Sequence, residues 1–360
     1  MLWGVAGARS AETAPPAEDV PHPGSAQYFD NWAVGCDNVL RCQAMTLEPP
    51  DASDAETVML EIARAGGPAG EVTLRARGLD TLPSRLTLVV DGRNNAILTA
   101  GEGGDPFVRG AEALSAVRAM TGAVTIELVT KKGEVLASPS TAGLSESLKF
   151  MDARQGRAGT RSALMEPGTQ PDSSVPPAPP MPVVRQMPSP DADTAPALTA
   201  LELAAARKLA QCDASVAAAA VTELAPLDSA SALLLLPCEA GAYNVSMVPL
   251  IARNSATGER ALSIARFDFA PGFTGDPGTP PLVVNALWDA RRGILSSLAK
   301  GRGVGDCGAS EDYVWDGAMF RLIESHAMHV CRGAWEWIRL WAASPKRDVI
   351  LSGAGAGPAR

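Results

Sequence analysis

Tyr313-Val314-Trp315-Asp316-Gly317-Ala318-Met319-Phe320-Arg321-Leu322-Ile323-Glu324 decides the fold class. Asp316-Gly317 sits between two runs of strand-forming residues. Both residues tolerate the positive φ of a tight turn, so the stretch reads as a β-hairpin, Tyr313–Trp315 pairing with Ala318–Glu324. Working outward, Ala232–Leu236, Asn244–Ala252, Ala261–Phe269, Leu282–Asp289 and Ile294–Leu298 are further strand signals, with Arg291-Arg292-Gly293 as the turn between the last two. One helix precedes them. Thr199-Ala200-Leu201-Glu202 is a capping box, and Leu198, Leu201, Ala205, Leu209 and Cys212 form its expected apolar stripe. The C-terminal half, residues 198–344, therefore reads as an antiparallel β-meander with one docked helix.

The first half carries the same signature. Phe29–Val34 and Gln43–Leu47 flank a short loop, and Thr57–Ala63 alternates apolar and polar residues. Leu86–Val90 and a stretch ending at Leu98 are joined by Asp91-Gly92, another hairpin. Ala123–Thr130 and Val135–Ala137 are joined by Lys131-Lys132-Gly133. Helices are expected over Gly110–Met120 and Leu144–Arg154, with Gly156 placed to stop the second. Residues 28–164 are thus expected to form an antiparallel β-sandwich. Between the halves, ten of the thirty residues from Pro167 to Pro196 are proline and none is aromatic. Residues 165–197 read as an extended, partly polyproline-II linker that transmits no fixed geometry. The chain as a whole is mainly β with a few helices. Residues 345–360 read as a tail.

Composition narrows the function classes. Apolar residues make up 46% and charged residues 20% of the 360, enough for sizeable cores and too apolar for wholesale disorder. The net charge is −9, from 40 acidic and 31 basic residues, which argues against nucleic acid and anionic lipid as partners. No run approaches the length of a transmembrane helix. Leu2–Ala8 is apolar and is followed by small-x-small sites at Ala6-Gly7-Ala8 and Ala8-Arg9-Ser10. That pattern fits the remnant of a signal peptide over residues 1–11, although no basic segment precedes it. Residues 12–27 read as a disordered leader.

Six cysteines fall into three local couples: Cys36–Cys42, Cys212–Cys238 and Cys307–Cys331. Sequence leaves the connectivity open. Local pairing is the expectation, because each couple lies within one supersecondary unit. On the loop-entropy view the short loop would contribute about 2.4 kcal/mol and each long one about 3.5 kcal/mol. Those staples form in an oxidising compartment; six reduced core thiols in the cytosol are the alternative.

Two sets of residues resemble known families. Phe29-Asp30-Asn31-Trp32-Ala33-Val34-Gly35-Cys36-Asp37, with Arg41-Cys42, resembles the opening of the invasion-associated locus B family of exported β-sandwich proteins. That family carries a second cysteine pair late in its sandwich, which is missing between Asp105 and Val117. The second set is larger. It comprises Met151-Asp152-Ala153-Arg154-Gln155-Gly156-Arg157, Gly241-Ala242-Tyr243-Asn244 after Cys238, Gly301-Arg302-Gly303-Val304-Gly305-Asp306-Cys307-Gly308, Trp315-Asp316-Gly317 and Cys331-Arg332-Gly333. Together these resemble the Gram-negative periplasmic family catalogued as domain of unknown function 1176. The resemblance implies a periplasmic or secreted protein and brings no catalytic residue.

The remaining constellations each have a bland reading. Gly303-Val304-Gly305-Asp306-Cys307-Gly308 matches G-x-G-x-x-G, but no helix is expected after it, and Asp306 would repel phosphate. No Gly-Lys dipeptide or G-x-S-x-G occurs. Cys307, His326, His329 and Cys331 form a Cys2His2 set, which disulfide formation would consume. Asp306, Glu311, Asp312 and Asp316 could furnish the carboxyl pair of a glycan hydrolase. Trp288, Trp315, Trp335, Trp337 and Trp341 supply contact surface or core packing, with Arg302, Arg332 and Arg339 able to complement them. Arg154, Gln155 and Arg157 are either an exposed polar site or partners of carbonyls at a helix end. The expectation is non-catalytic binding of an envelope protein or glycan, without cofactor or metal, near Arg302, Asp306 and Trp315. A glycan hydrolase and a purely structural envelope protein are the alternatives.

Overall fold

The computed structural model describes residues 20–50, 58–78, 80–101, 104–190, 198–212, 223–254, 260–272 and 278–348. It is mainly β and antiparallel, with three α-helices among the described residues. Leu2–Ala8 and most of the leader lie outside them, as do residues 191–197 of the linker.

Ten strands build the first half: β1 (Gln27–Phe29), β2 (Trp32–Cys36), β3 (Cys42–Thr46), β4 (Val58–Arg64), β5 (Val72–Gly78), β6 (Arg85–Val90), β7 (Arg93–Thr99), β8 (Phe107–Arg109), β9 (Ile126–Thr130) and β10 (Val135–Ala137). They form one continuous ladder in the order β1-β2-β3-β4-β5-β8-β7-β6-β9-β10, where two facing sheets were expected. The sheet bends round a single core. Trp32, Leu60, Leu74, Leu88, Leu98 and Leu128, from strands spread along the ladder, pack in one cluster with α1 (Gly110–Met120) and α2 (Leu144–Arg154). The expected strand Phe29–Val34 is broken at Asp30, whose φ of 42° turns the chain between β1 and β2. Asp91 and Gly92 both take positive φ, 48° and 72°, as the Asp-Gly hairpin requires. Gly156, in the left-handed region at φ 66°, ends α2 where the sequence places the stop.

The second half is a stack of two sheets. After β11 (Val183–Gln186) and α3 (Ala200–Ala210), β12 (Glu223–Pro226), β13 (Ser231–Ala240), β14 (Val245–Asn254), β15 (Arg260–Ile264) and β16 (Val283–Val284) make one sheet. The other is the meander β17 (Leu287–Asp289), β18 (Ile294–Lys300), β19 (Gly308–Trp315), β20 (Phe320–Met328) and β21 (Ile338–Ala342). The run Ala232–Leu236 has no polar member because both its faces are covered. Leu233 and Leu235 meet Leu295, Tyr313, Trp315 and Phe320 of the meander, while Leu234 and Leu236 meet Ala206 and Ala210 of α3. The expected strand Leu282–Asp289 is cut at Asn285, φ 44°, where the chain crosses between the sheets. Asn285 Nδ2 donates to Asn244 Oδ1 (2.9 Å) and Leu298 O (2.9 Å), and Asn244 Nδ2 donates to Lys300 O (2.9 Å), fixing the crossing.

The capping box of α3 forms in both directions. Its buried face, however, is Ala206 and Ala210 with Leu203 and Leu198, whereas Leu201 is 82% exposed and Ala205 and Leu209 also face outward. Of the expected stripe, Leu198 and Cys212 pack on the core, while Leu201, Ala205 and Leu209 are turned away from it. Small residues at the contact let the helix lie close to β13 and β14, a choice that leucine periodicity alone does not reveal.

The halves are joined face to face. In β2, β3 and β4 every residue is buried. Their inner side chains enter the first core. Ala33, Met45 and Met59 on the outer face pack against Met328, Trp337, Ile338 and Leu340. The proline-rich segment is seated rather than free. Val175 is buried, β11 pairs in parallel with β22 (Ser344–Arg347), and Met187 N–H donates to Trp315 O at 2.8 Å. That ladder uses backbone groups which proline spacing leaves available at Val183–Gln186, and it draws residues 345–347 out of the expected tail. Leader residues join as well: Gly24 N–H donates to Leu340 O (3.0 Å) and Ala26 is buried.

Disulfides Cys36–Cys42, Cys212–Cys238 and Cys307–Cys331 take up all six cysteines. They close the β2–β3 hairpin, tie the end of α3 to β13, and tie the loop before β19 to the loop after β20.

Candidate functional site

Arg302, Asp306 and Trp315 do not form one site. Asp306 has a side-chain exposure of 0% and accepts Nε of Arg302 (2.7 Å), a second guanidinium nitrogen of Arg302, and Gly333 N–H (2.8 Å). Burial pushes its carboxyl up, but the Arg302 and Gly333 hydrogen bonds outweigh that and hold it below the usual range. Trp315 lies at the opposite end of β19. The eight-residue strand Gly308–Trp315 separates it from Asp306, about 23 Å of extended chain. It is 1% exposed, packs on Phe320 and donates its indole N–H to Asp228 Oδ2 at 2.8 Å. Its role is core packing.

The glycine loop is a close-approach device. A Cβ at Gly301 would lie 2.6 Å from Cys307 Sγ, and one at Gly308 would lie 2.0 Å from Ala299 O. A strand, not a helix, follows, so no helix N-terminus faces an anion there. A carboxylate oxygen of Asp306 and the sulfurs of Cys307 and Cys331 lie within 4.8 Å of one another. The two sulfurs are bonded to each other and hold no lone thiolate for a metal. His326 sits on β20 beside Glu324 and Arg339, and burial, with the Arg339 charge, lowers its pKa below 6.5. Backbone N–H of His329 donates to Tyr28 Oη at 2.7 Å.

Several motifs that carry the family resemblance are structural joints. Gln155 Nε2 donates to Leu40 O, Arg64 O and Ala65 O, and the wholly buried Arg157 donates to Gln155 Oε1, Ser162 Oγ and Gly67 O. Asp152 accepts the N–H groups of Leu164 and Met165. Arg332 donates to Glu48 O (2.6 Å), Asp30 O (2.6 Å) and Asn31 Oδ1, which clamps the second half to the first. Arg339 is likewise paired with the buried Asp37 at 2.7 Å.

The acidic residues scatter. Glu311 lies mid-strand and buried, Asp312 is on the other face of β19, and Asp316 caps the hairpin turn, its Oδ1 accepting Ala318 and Met319 N–H at 2.8 Å. That turn has four residues, 316–319, because Trp315 pairs with Phe320.

A cleft of ≈ 410 Å³ opens where the seated linker crosses the meander. Pro21, Val184 and Arg185 wall it on one side; Asp268, Asp316, Arg321 and Trp341 line the other. Arg321 joins the two acids, Nε to Asp316 Oδ2 at 2.7 Å and Nη1 to Asp268 Oδ2 at 3.7 Å. Asp268 Oδ1 accepts Leu322 N–H (2.9 Å). Burial raises the Asp268 pKa to about 6, against the pull of Leu322 N–H and Arg321. Sequence reasoning passed over Asp268; its signal was an acid set between Phe267 and Phe269 at a strand end. Of the late tryptophans, Trp288, Trp315 and Trp337 are core residues, and Trp341 is the one that lines this cleft.

On β19, Glu311 accepts Gly272 N–H and the Ser297 hydroxyl, and burial lifts its pKa to about 7. Its Oε2 and the buried Tyr313 Oη have no hydrogen-bond partner among the described residues.

These features define a disulfide-stapled, mainly β protein of two interlocked halves, with an open cleft and no assembled nucleophile or metal set among the described residues. No helix among them is long and apolar enough to cross a membrane. The chain belongs to the family described as protein of unknown function (DUF1176), whose model matches residues 26–344, both halves together. It is 26% identical over 334 residues to the uncharacterized protein YpfG of Escherichia coli (strain K12), spanning 87% of this chain and 91% of that one. No solved structure matches.

Proposed function

We propose that the protein acts outside the cytosol, in the periplasm of a Gram-negative bacterium or secreted from it, as a non-catalytic binder of envelope glycan. Three disulfides and the apolar Leu2–Ala8 segment support export. The locus B likeness adds only the residues of 29–42 that carry it. The observation that carries the binding reading is the cleft. Trp341 offers an aromatic face, while Asp268, Asp316 and Arg321 hold fixed positions through backbone N–H groups and each other. Planar polar groups beside an aromatic ring suit sugar hydroxyls and the sugar's apolar face. Arg302 is already paired with Asp306, so the site moves from that loop to the cleft.

The second reading is a glycan hydrolase, favoured by one observation: Asp268, its pKa raised by burial to about 6, shares Arg321 with a second carboxyl, Asp316. Tryptophan fluorescence during titration with soluble peptidoglycan fragments tests both. Saturable quenching that Trp341→Phe abolishes, with no new reducing ends, supports binding. Reducing ends that vanish in Asp268→Asn replace it with the hydrolase. Neither signal at millimolar fragment overturns both and leaves a structural protein.

A further inference from the structure

The turn 290–293 between β17 and β18 meets β22 at one corner. Arg347 Nη2 donates to Arg291 O (2.8 Å) and Arg292 O (2.7 Å). Gln186, on the strand beside β22, donates to Arg292 O at 2.6 Å. Asp289 Oδ1 accepts the N–H groups of Arg291 and Arg292 at 3.0 Å each. The turn is therefore pinned from three sides, and it presents two arginines outward beside Arg347 and Lys346, all four exposed. Among the described residues, Arg291, Arg292 and Lys346 have no side-chain hydrogen bond or ion pair, and Arg347 meets only carbonyls; Asp348 next door is taken by Arg185.

We propose that this corner docks the protein on the phosphate headgroups of an anionic phospholipid bilayer. The net charge of −9 argues against such a partner only as an average. Screening beyond a Debye length of ~8 Å leaves the local cations to set the interaction. Single-stranded nucleic acid would call for aromatic stacking surface, and the aromatic residue of β17, Trp288, is buried. The inference is independent of the glycan cleft.

Flotation of the full, disulfide-intact chain with vesicles of phosphatidylethanolamine containing about a quarter phosphatidylglycerol is the test. Wild type is expected to float with these vesicles at about 50 mM salt, to detach at about 300 mM, and to ignore pure phosphatidylcholine. Arg291→Gln with Arg292→Gln and Lys346→Gln should weaken the partition about a hundredfold, with near-UV circular dichroism unchanged. Soluble glycerol phosphate should not compete at millimolar concentration, since a single headgroup engages too few cations. The proposal is overturned if the triple variant floats like wild type, if phosphatidylcholine binds equally, if glycerol phosphate competes fully, or if the chain binds duplex DNA and no vesicle.

Discussion

Replacing Glu311 by Gln should remove most of the pH dependence of stability between mildly acidic and neutral pH. The carboxyl is buried on β19, covered by Gly272, and its Oε2 has no partner among the described residues. Burial lifts it from 4.5 to about 7. A displacement of that size is worth about 3 kcal/mol. The folded carboxyl holds its proton more tightly than the unfolded one. Its contribution is therefore complete below pH 4.5, is lost as pH rises through about 7, and is flat above. Asp268, raised from 3.8 to about 6, acts with the same sign over a lower window. His326, lowered from 6.5 by burial, acts with the opposite sign, since it folds more readily neutral. The difference between wild type and Glu311→Gln cancels both. Urea unfolding with intact disulfides, followed by tryptophan fluorescence from about pH 4.5 to about pH 8, gives that difference. The variant should gain about 3 kcal/mol on wild type across the range. A difference that does not change with pH would refute the assignment of Glu311 as a buried, partner-poor acid.

Arg332→Ala removes three hydrogen bonds between the halves and should cost about 3 kcal/mol, seen as a lower urea midpoint and as proteolysis between residues 165 and 197. Asp306→Asn should open Cys307–Cys331 faster in dithiothreitol, timed by thiol alkylation, because the carboxylate near both sulfurs repels an attacking thiolate and disfavours the leaving one; an unchanged rate would sink that account. Gly308→Ala forces a Cβ to 2.0 Å from Ala299 O and should cost 3 kcal/mol or more, whereas Gly92→Ala, at φ 72° with open space around it, should cost only about 1 kcal/mol. Melting temperatures of the two variants check the ranking.

Local physics was legible in the chain. Asp91-Gly92 specified its turn because few residues accept positive φ, Thr199–Glu202 specified a helix start, and Gly156 specified a stop. The all-leucine run Leu233–Leu236 announced burial on both faces. The candidate site was not legible in the same way. Trp315 is close in sequence to the Arg302–Asp306 pair, but an extended strand carries it away from them. Asp268 and Trp341 are far apart in sequence and meet only because β20 runs beside both the 266–272 segment and β21.

Sequence by itself determined the β class, the hairpins and the helix ends, because each depends on a few neighbouring residues. Tertiary structure alone decided which face of α3 is buried, that β2 to β4 are covered on both sides, and that a proline-rich stretch lies pinned between β22 and the meander. Those outcomes turn on contacts between surfaces whose members are distant along the chain, and no local pattern encodes a partner it has not yet met.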